Sequence, residues 1–239
     1  MTRVASANAR RERGPESWRS DIIRLHSCYR RRVTRTGRVI YLASRSPQRA
    51  TLLERYAVVF KTTTTRCREE TVTAPVPQAL AVERARAKAR EAEVPPGAVA
   101  LGVDTVVALG MKVLGNPATA AENRSMLEQL SGTTHQVHTA HCMVRFGSDG
   151  KPASEAIALT MAKVTMRPLS AAEIDAYIAT GEGLGKAGGY AIQEKADRFV
   201  VEIQGATETV IGLHVWTVAK LWREVGSGPL PGYNGPSVS

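Results

Sequence analysis

Asp104 is the only charged residue in the apolar run VALGVDTVVALG at residues 99–110. Burying a carboxylate is costly unless it is paired, hydrogen-bonded or bound to a metal. This acid is therefore either a metal ligand or general base facing a cleft, or the cap of a turn at a strand end, and the run itself leaves both open. A second group of reactive types is Ser44-Arg45-Ser46-Pro47-Gln48-Arg49, set between an apolar segment and a helical pattern. Backbone N–H groups and the positive end of a helix receive phosphate at such a junction, and two hydroxyls with Arg49 would complete an anion cradle. The competing reading is a helix capped by Ser46, with Arg49 on a solvated face.

Other candidates are weaker when taken singly. Lys88 and Lys186 read as solvated lysines, and Glu69 and Glu70 as loop acids. His135, His138 and His141 are spaced by three, which suits a helical metal site; in a strand the first and last share a face and His138 opposes them, which disfavours a three-histidine site. The stretch from Gly181 to Gly189 has too many glycines for a regular element and would serve as a mobile loop over a phosphate. There is no Walker-type P-loop, and Gly181, Gly183 and Gly185 lack the third glycine of a dinucleotide fingerprint.

The elements that must position these groups alternate. Residues 38–43 read as a short buried strand, followed by a polar turn and a helix with Pro47 at its start and Leu52, Leu53 and Tyr56 on one face. Residues 58–65 have high β-propensity, 66–77 form a loop, and 76–93 are rich in strong helix formers ahead of the Pro95-Pro96-Gly97 break. The Asp104 strand comes next, then a helix over 119–130 and two strands over 135–169 around a turn at Gly147 to Pro152. Ser170 with Glu173 makes a capping box for the next helix. After the glycine-rich stretch come a strand near residues 199–205 and a last helix from Gly212 to Val225, and the Gly/Pro/Ser-rich tail is expected to fray. This order predicts an α/β fold, and the two adjacent strands favour a mixed twisted sheet with flanking helices.

With 239 residues, 43% of them apolar, the chain can bury a substantial core. Its formal charge of +10 is uneven: residues 1–38 hold eleven Arg against three acids, a net +8, and the rest is close to neutral. The basicity thus belongs to an extension, residues 1–37, ahead of a domain at 38–226 and a tail at 227–239, and a nucleic-acid partner is disfavoured for the body. A short helix at Ser17 to Leu25 is compatible with the sequence. Cys28, Cys67 and Cys142 form neither a disulfide framework nor a zinc knuckle. No apolar run is long enough to span a membrane, and no secretory core segment is present. These features predict a soluble cytoplasmic protein, with organelle targeting through the Arg-rich extension as the alternative.

In order along the chain, LASRSPQRATLLERYAVVF, GVDTVVALGMKVLGNP, LSGTTHQVHTA, KAGGYAIQ and IQGATETVIGLHV resemble the successive motifs of the Maf family, across residues 39–225. The resemblance implies two lobes around a cleft, a relation to inosine triphosphate pyrophosphatases, and cleavage of nucleoside triphosphates to monophosphate and pyrophosphate. It implies phosphate contacts from Ser44 and Arg49, further cleft roles for Lys88 and Lys186, Asp104 as general base, and a divalent cation, Mg2+ or Mn2+, held by Glu70 and Asp104. Glu70 is preferred to Glu69 because Thr71 follows it. A homodimer is a further implication. Thr105 and Gln193 resemble the subgroup acting on dTTP and UTP, whereas Gln48 stands where that subgroup usually has Arg.

Asn116 departs from the family's usual Lys, Gly185 from Asp and Glu194 from Gly. Loss of the lysine leaves a second reading: a weakly active or non-catalytic homologue that binds nucleotides or nucleic acid as a regulator.

Overall fold

The structure, a computed structural model, describes residues 39–226 and 228–235. The expected basic extension and its short helix lie outside the described residues. The elements are β1 (Ile40–Ala43), α1 (Pro47–Arg55), β2 (Phe60–Thr63), α2 (Pro77–Arg90), β3 (Val99–Leu109), β4 (Lys112–Leu114), α3 (Ala120–Leu130), β5 (Thr134–Phe146), β6 (Pro152–Met166), α4 (Ala171–Ile178), β7 (Val200–Gln204), α5 (Thr207–Ile211) and α6 (Val215–Glu224). Short 3-10 turns lie at Glu69–Thr71, Ala187–Gly189 and Lys195–Phe199.

One mixed sheet runs in the order β2-β1-β3-β5-β6-β7, with β4 folded back on β3. β1 lies parallel to both β2 and β3, and the later pairs are antiparallel. The mixed α/β architecture expected from the element order is thus present. On the edge of β3 facing β1, pairing covers only Val99 to Gly102, and β4 takes over at Val107 to Leu109. Residues 103–106 between these stretches have no strand neighbour on that side among the described residues. Asp104 and Thr105 fall in this gap, beyond the carboxyl end of β1, where ligands bind in open α/β sheets.

Gly102 brings α2 close to this gap. A Cβ there would stand 2.2 Å from the Ala85 carbonyl oxygen and 2.5 Å from the Ala89 nitrogen, so only glycine lets the alanine-rich face of α2 settle against β3. Ala81, Ala85 and Ala89 pack there with Ala100, Val106, Ala140 and Cys142. A second core joins α1, β1 and β3 to the buried face of α6, including Val218, Leu221 and Trp222. Each large side chain buried in this way stabilises the fold by about 1.5–3 kcal/mol. A third core, around Leu127, Leu130, Tyr177 and Phe199, supports the far end.

Two expectations need correction. The last helix does not begin at Gly212: α5 ends at Ile211, Gly212 adopts φ 114°, and α6 starts at Val215. The tail does not fray over residues 228–235. Leu230 is buried, the Val59 amide donates to the Pro231 carbonyl at 2.9 Å, and the Trp222 indole donates to the Pro229 carbonyl at 3.1 Å. Apolar Leu230 and Tyr233 outweigh the Gly/Pro composition by closing the first core.

Candidate active site

The turn after β1 carries Ser44, and α1 follows with Pro47 in its first turn and no acid there. Ser46 makes no side-chain cap; its hydroxyl donates to Gln48 Oε1 at 2.9 Å. Arg49 is not on a solvated face. It is 9% exposed and donates through Nε to the Gly212 carbonyl at 2.9 Å, through Nη1 to Ser44 Oγ at 2.8 Å and through Nη2 to Thr105 Oγ1 at 3.2 Å. Two of its five N–H donors remain uncommitted among the described residues. Ser44 Oγ also accepts the Ser46 amide at 3.2 Å, so both its lone pairs are engaged and its proton has no protein acceptor among the described residues. Burial lowers the Arg49 pKa, opposed by Asp104 and Glu69 nearby.

Asp104 is 4% exposed. Its Oδ1 accepts from Lys88 Nζ at 2.6 Å, and its Oδ2 has no partner among the described residues. Lys88, 5% exposed, also reaches Glu69 Oε2 at 2.9 Å and the Val103 carbonyl at 3.4 Å. One ammonium is therefore shared by two carboxylates. Burial pushes the Asp104 carboxyl above its usual range in spite of Lys88 and Arg49. Glu69 is half-buried; burial also pushes it upward, but Lys88, by attraction and hydrogen bonding, and Arg49 hold it below the usual range.

These groups line a cavity of about 790 Å³, joined by Gln48, Thr105, Asn116, Lys186, Gln193 and Glu194, a volume that suits a nucleotide. Its apolar lining includes Val107, Leu184, Tyr190, Ile192, Val210 and Ile211. Lys186 is held by Glu194 at 2.9 Å. It stands beside Asn116, because the Gly185 and Gly188 amides donate to the Pro117 and Gly115 carbonyls at 2.9 and 3.0 Å.

Of the residues singled out in the sequence, Ser44, Gln48, Arg49, Lys88, Asp104, Thr105, Lys186 and Gln193 all line this cavity. Glu70 does not. Its side chain is 68% exposed and pairs with Arg68 at 3.1 Å, while Glu69, the neighbour passed over, turns inward. The three histidines form no metal site: His135 contacts the Tyr190 hydroxyl at 2.7 Å, His138 contacts Gln136 at 3.0 Å, and His141 accepts the His214 amide at 2.9 Å. Burial lowers His135 to about 4 and His141 to about 3, so both stay neutral.

The family model described as Maf-like protein matches residues 39–225. The chain belongs to the Maf family. A protein of Alcanivorax borkumensis named dTTP/UTP pyrophosphatase is 41% identical over 196 residues, covering 78% of this chain and 96% of that protein. Proteins of the same name from Sphingopyxis alaskensis and Xanthomonas euvesicatoria are each 40% identical, covering 78% and 79% of this chain and 96% and 100% of theirs.

Two residues of this Maf site escape local sequence reading: Glu69, in a tie with Glu70, and Gly212, which reads only as the start of the last helix. Gly212 supplies the carbonyl that holds Arg49, and a Cβ there would stand 3.1 Å from Thr105 Oγ1 and 3.6 Å from Arg49 Nε. Gly212→Ala is expected to lower stability by about 1–3 kcal/mol through its backbone strain and to raise KM by displacing Arg49. Thermal unfolding and steady-state kinetics check both effects.

The oxygen donors fit a hard divalent cation. Asp104 Oδ2 is unsatisfied and Glu69 lies across the same ammonium. Mg2+ takes one or two carboxylates together with substrate phosphates rather than a full protein cage. Among the described residues no group of three or more His, Cys, Asp or Glu is placed to hold a metal.

Proposed function

We propose that this Maf protein hydrolyses dTTP and UTP to the nucleoside monophosphate and pyrophosphate. The observation that carries the reading is the meeting of Asp104, Lys88 and Arg49 in the unpaired gap of β3, in a chain whose relatives bear the name dTTP/UTP pyrophosphatase. The Ser44 proton, the two remaining Arg49 donors and the first-turn amides of α1 bind triphosphate oxygens. Asp104 orients a water and takes its proton as the water oxygen attacks the α-phosphorus, and the bond from that phosphorus to the α,β-bridging oxygen breaks. Lys88 and Arg49 offset the charge that develops on the phosphate oxygens. Asp104 and Glu69 would hold the divalent cation, which supplies Lewis-acid stabilisation of the leaving pyrophosphate.

The reading is tested by pyrophosphate release with Mg2+ across dTTP, UTP, CTP, GTP, ITP and 7-methyl-GTP. Selective release from dTTP and UTP supports it, and release from none of the six with either Mg2+ or Mn2+ sinks it. The choice of Glu69 over Glu70 has its own test. Glu69→Gln is expected to raise the Mg2+ concentration for half-maximal rate by about tenfold or more, while Glu70→Gln leaves it unchanged. We extend the reading to a cytoplasmic enzyme and to a homodimer, which sedimentation of the purified chain would test; no helix among the described residues is long and apolar enough to cross a membrane.

A further inference from the structure

The helix that carries Arg49 is tied to the short α5 at two points. Arg49 lies in the first turn of α1 and Tyr56 caps its end; two helical turns separate them, so they share one face. Arg49 donates to the Gly212 carbonyl just past the end of α5, and the Tyr56 hydroxyl donates to Glu208 Oε1 near its start at 3.0 Å. Glu208 acts again through its backbone, whose carbonyl accepts the Gly212 and Leu213 amides at 2.9 and 3.0 Å. That turn presents the Gly212 carbonyl to Arg49, so the acceptors for Arg49 and Tyr56 belong to one hydrogen-bonded unit. A slip of about 1 Å between the two helices takes the Gly212 carbonyl out of hydrogen-bond range of Arg49.

The tail seats Tyr56. The Asn234 amide donates to the Tyr56 carbonyl at 3.3 Å, and the Tyr233 ring lies 6.3 Å from the Tyr56 ring, centre to centre. Gly232 approaches so closely that a Cβ on it would stand 2.1 Å from the Ala57 carbonyl oxygen. Ala57 has φ 56°, a left-handed conformation that a residue with a side chain keeps only where its surroundings impose it. We infer that Tyr56 and Glu208, buttressed by the tail, are positioning residues for substrate binding: they lock α1 to α5, which keeps Arg49 on the Gly212 carbonyl with its two uncommitted donors left for phosphate oxygens. The inference rests on the triphosphate reading above, in which Arg49 binds phosphate. Neither Tyr56 nor Glu208 lines the cavity, so each acts through Arg49 and not on the substrate. Burial, with Glu208 beside it, pushes the Tyr56 phenol up to about 12, so the clasp keeps its proton across the neutral range.

The test uses the full-length chain. Tyr56→Phe keeps the ring and loses the hydrogen bond. Its KM for UTP with Mg2+ is expected to rise about tenfold, the size of one hydrogen bond to a charged group, with kcat kept within about twofold. Glu208→Ala gives the same rise, and Glu208→Gln, which still accepts from the phenol, keeps the wild-type KM within about twofold. A second readout follows Arg49 itself. Its Nε–H, assigned in the NMR spectrum by its loss in Arg49→Lys, is protected from solvent exchange by the Gly212 carbonyl, and Tyr56→Phe is expected to speed that exchange about tenfold. An Arg49 exchange rate equal to that of the wild type in both Tyr56→Phe and Glu208→Ala overturns the proposal, whatever happens to KM or to the unfolding midpoint. If the wild type cleaves no triphosphate, the hydrolase reading fails and the exchange rate alone decides: faster exchange in Tyr56→Phe supports the clasp, and unchanged exchange overturns it.

Discussion

Asp104→Asn is expected to lower kcat for dTTP and UTP by about 10²–10⁴, the range for loss of a general base, with the protein still folded and still binding nucleotide. Asparagine matches the shape of the carboxylate and can still accept from Lys88, but it cannot take a proton from water. A change in KM alone would mean that the carboxylate only binds. The pH profile gives a second check with a definite sign. The base works ionised, and burial raises the Asp104 pKa above the ordinary aspartate value. The acid limb of kcat/KM for the free enzyme is therefore expected above the usual carboxylate range, with activity falling as pH drops through it. The Asn variant should lose that limb along with the rate. Pyrophosphate release across a buffer series measures both.

The fold was largely legible because its signals are local. The strand carrying Asp104, the capping box of Ser170 with Glu173 and the hairpin of β5 and β6 each follow from patterns within a dozen or so residues. Asp104 itself was conspicuous, since an acid in a buried strand has to be accounted for. What local patterns missed depends on partners far away in the chain. Arg49 looks like a solvated helix residue until Gly212, 163 positions later, offers a carbonyl to its Nε. Glu69 and Glu70 are adjacent and chemically equivalent, and the ammonium of Lys88 on α2 is what turns one of them inward. Gly212 reads as the first residue of the last helix, whereas its φ of 114° closes α5 in the left-handed region and its carbonyl receives Arg49. The clasp of Tyr56 on Glu208 joins α1 to α5 across 152 positions, and no spacing rule in a single segment encodes it.

Lys88→Met is expected to have the broadest effect, because one buried ammonium balances two carboxylates. Methionine fills the space of the aliphatic stem without the charge, and the Asp104 and Glu69 carboxylates are left facing each other with Arg49 near both and Arg84 near Glu69. Breaking a buried ion pair by removing one partner costs about 3–5 kcal/mol, so the unfolding midpoint in urea should drop accordingly. One of the two carboxyls will relieve the repulsion by holding a proton to higher pH. Asp104 is the more buried of the two, and burial already pushes its carboxyl upward while Glu69 is held below its usual range, so Asp104 takes the proton. The general base then holds its proton to higher pH: kcat falls, and the acid limb of the pH profile moves to higher pH than in wild type. A divalent cation can stand in for the missing charge between the carboxylates, so added Mg2+ should raise the melting temperature of Lys88→Met more than that of the wild type. An unfolding midpoint equal to that of the wild type, with no added response to Mg2+, would mean that the ammonium does not balance the two acids in solution.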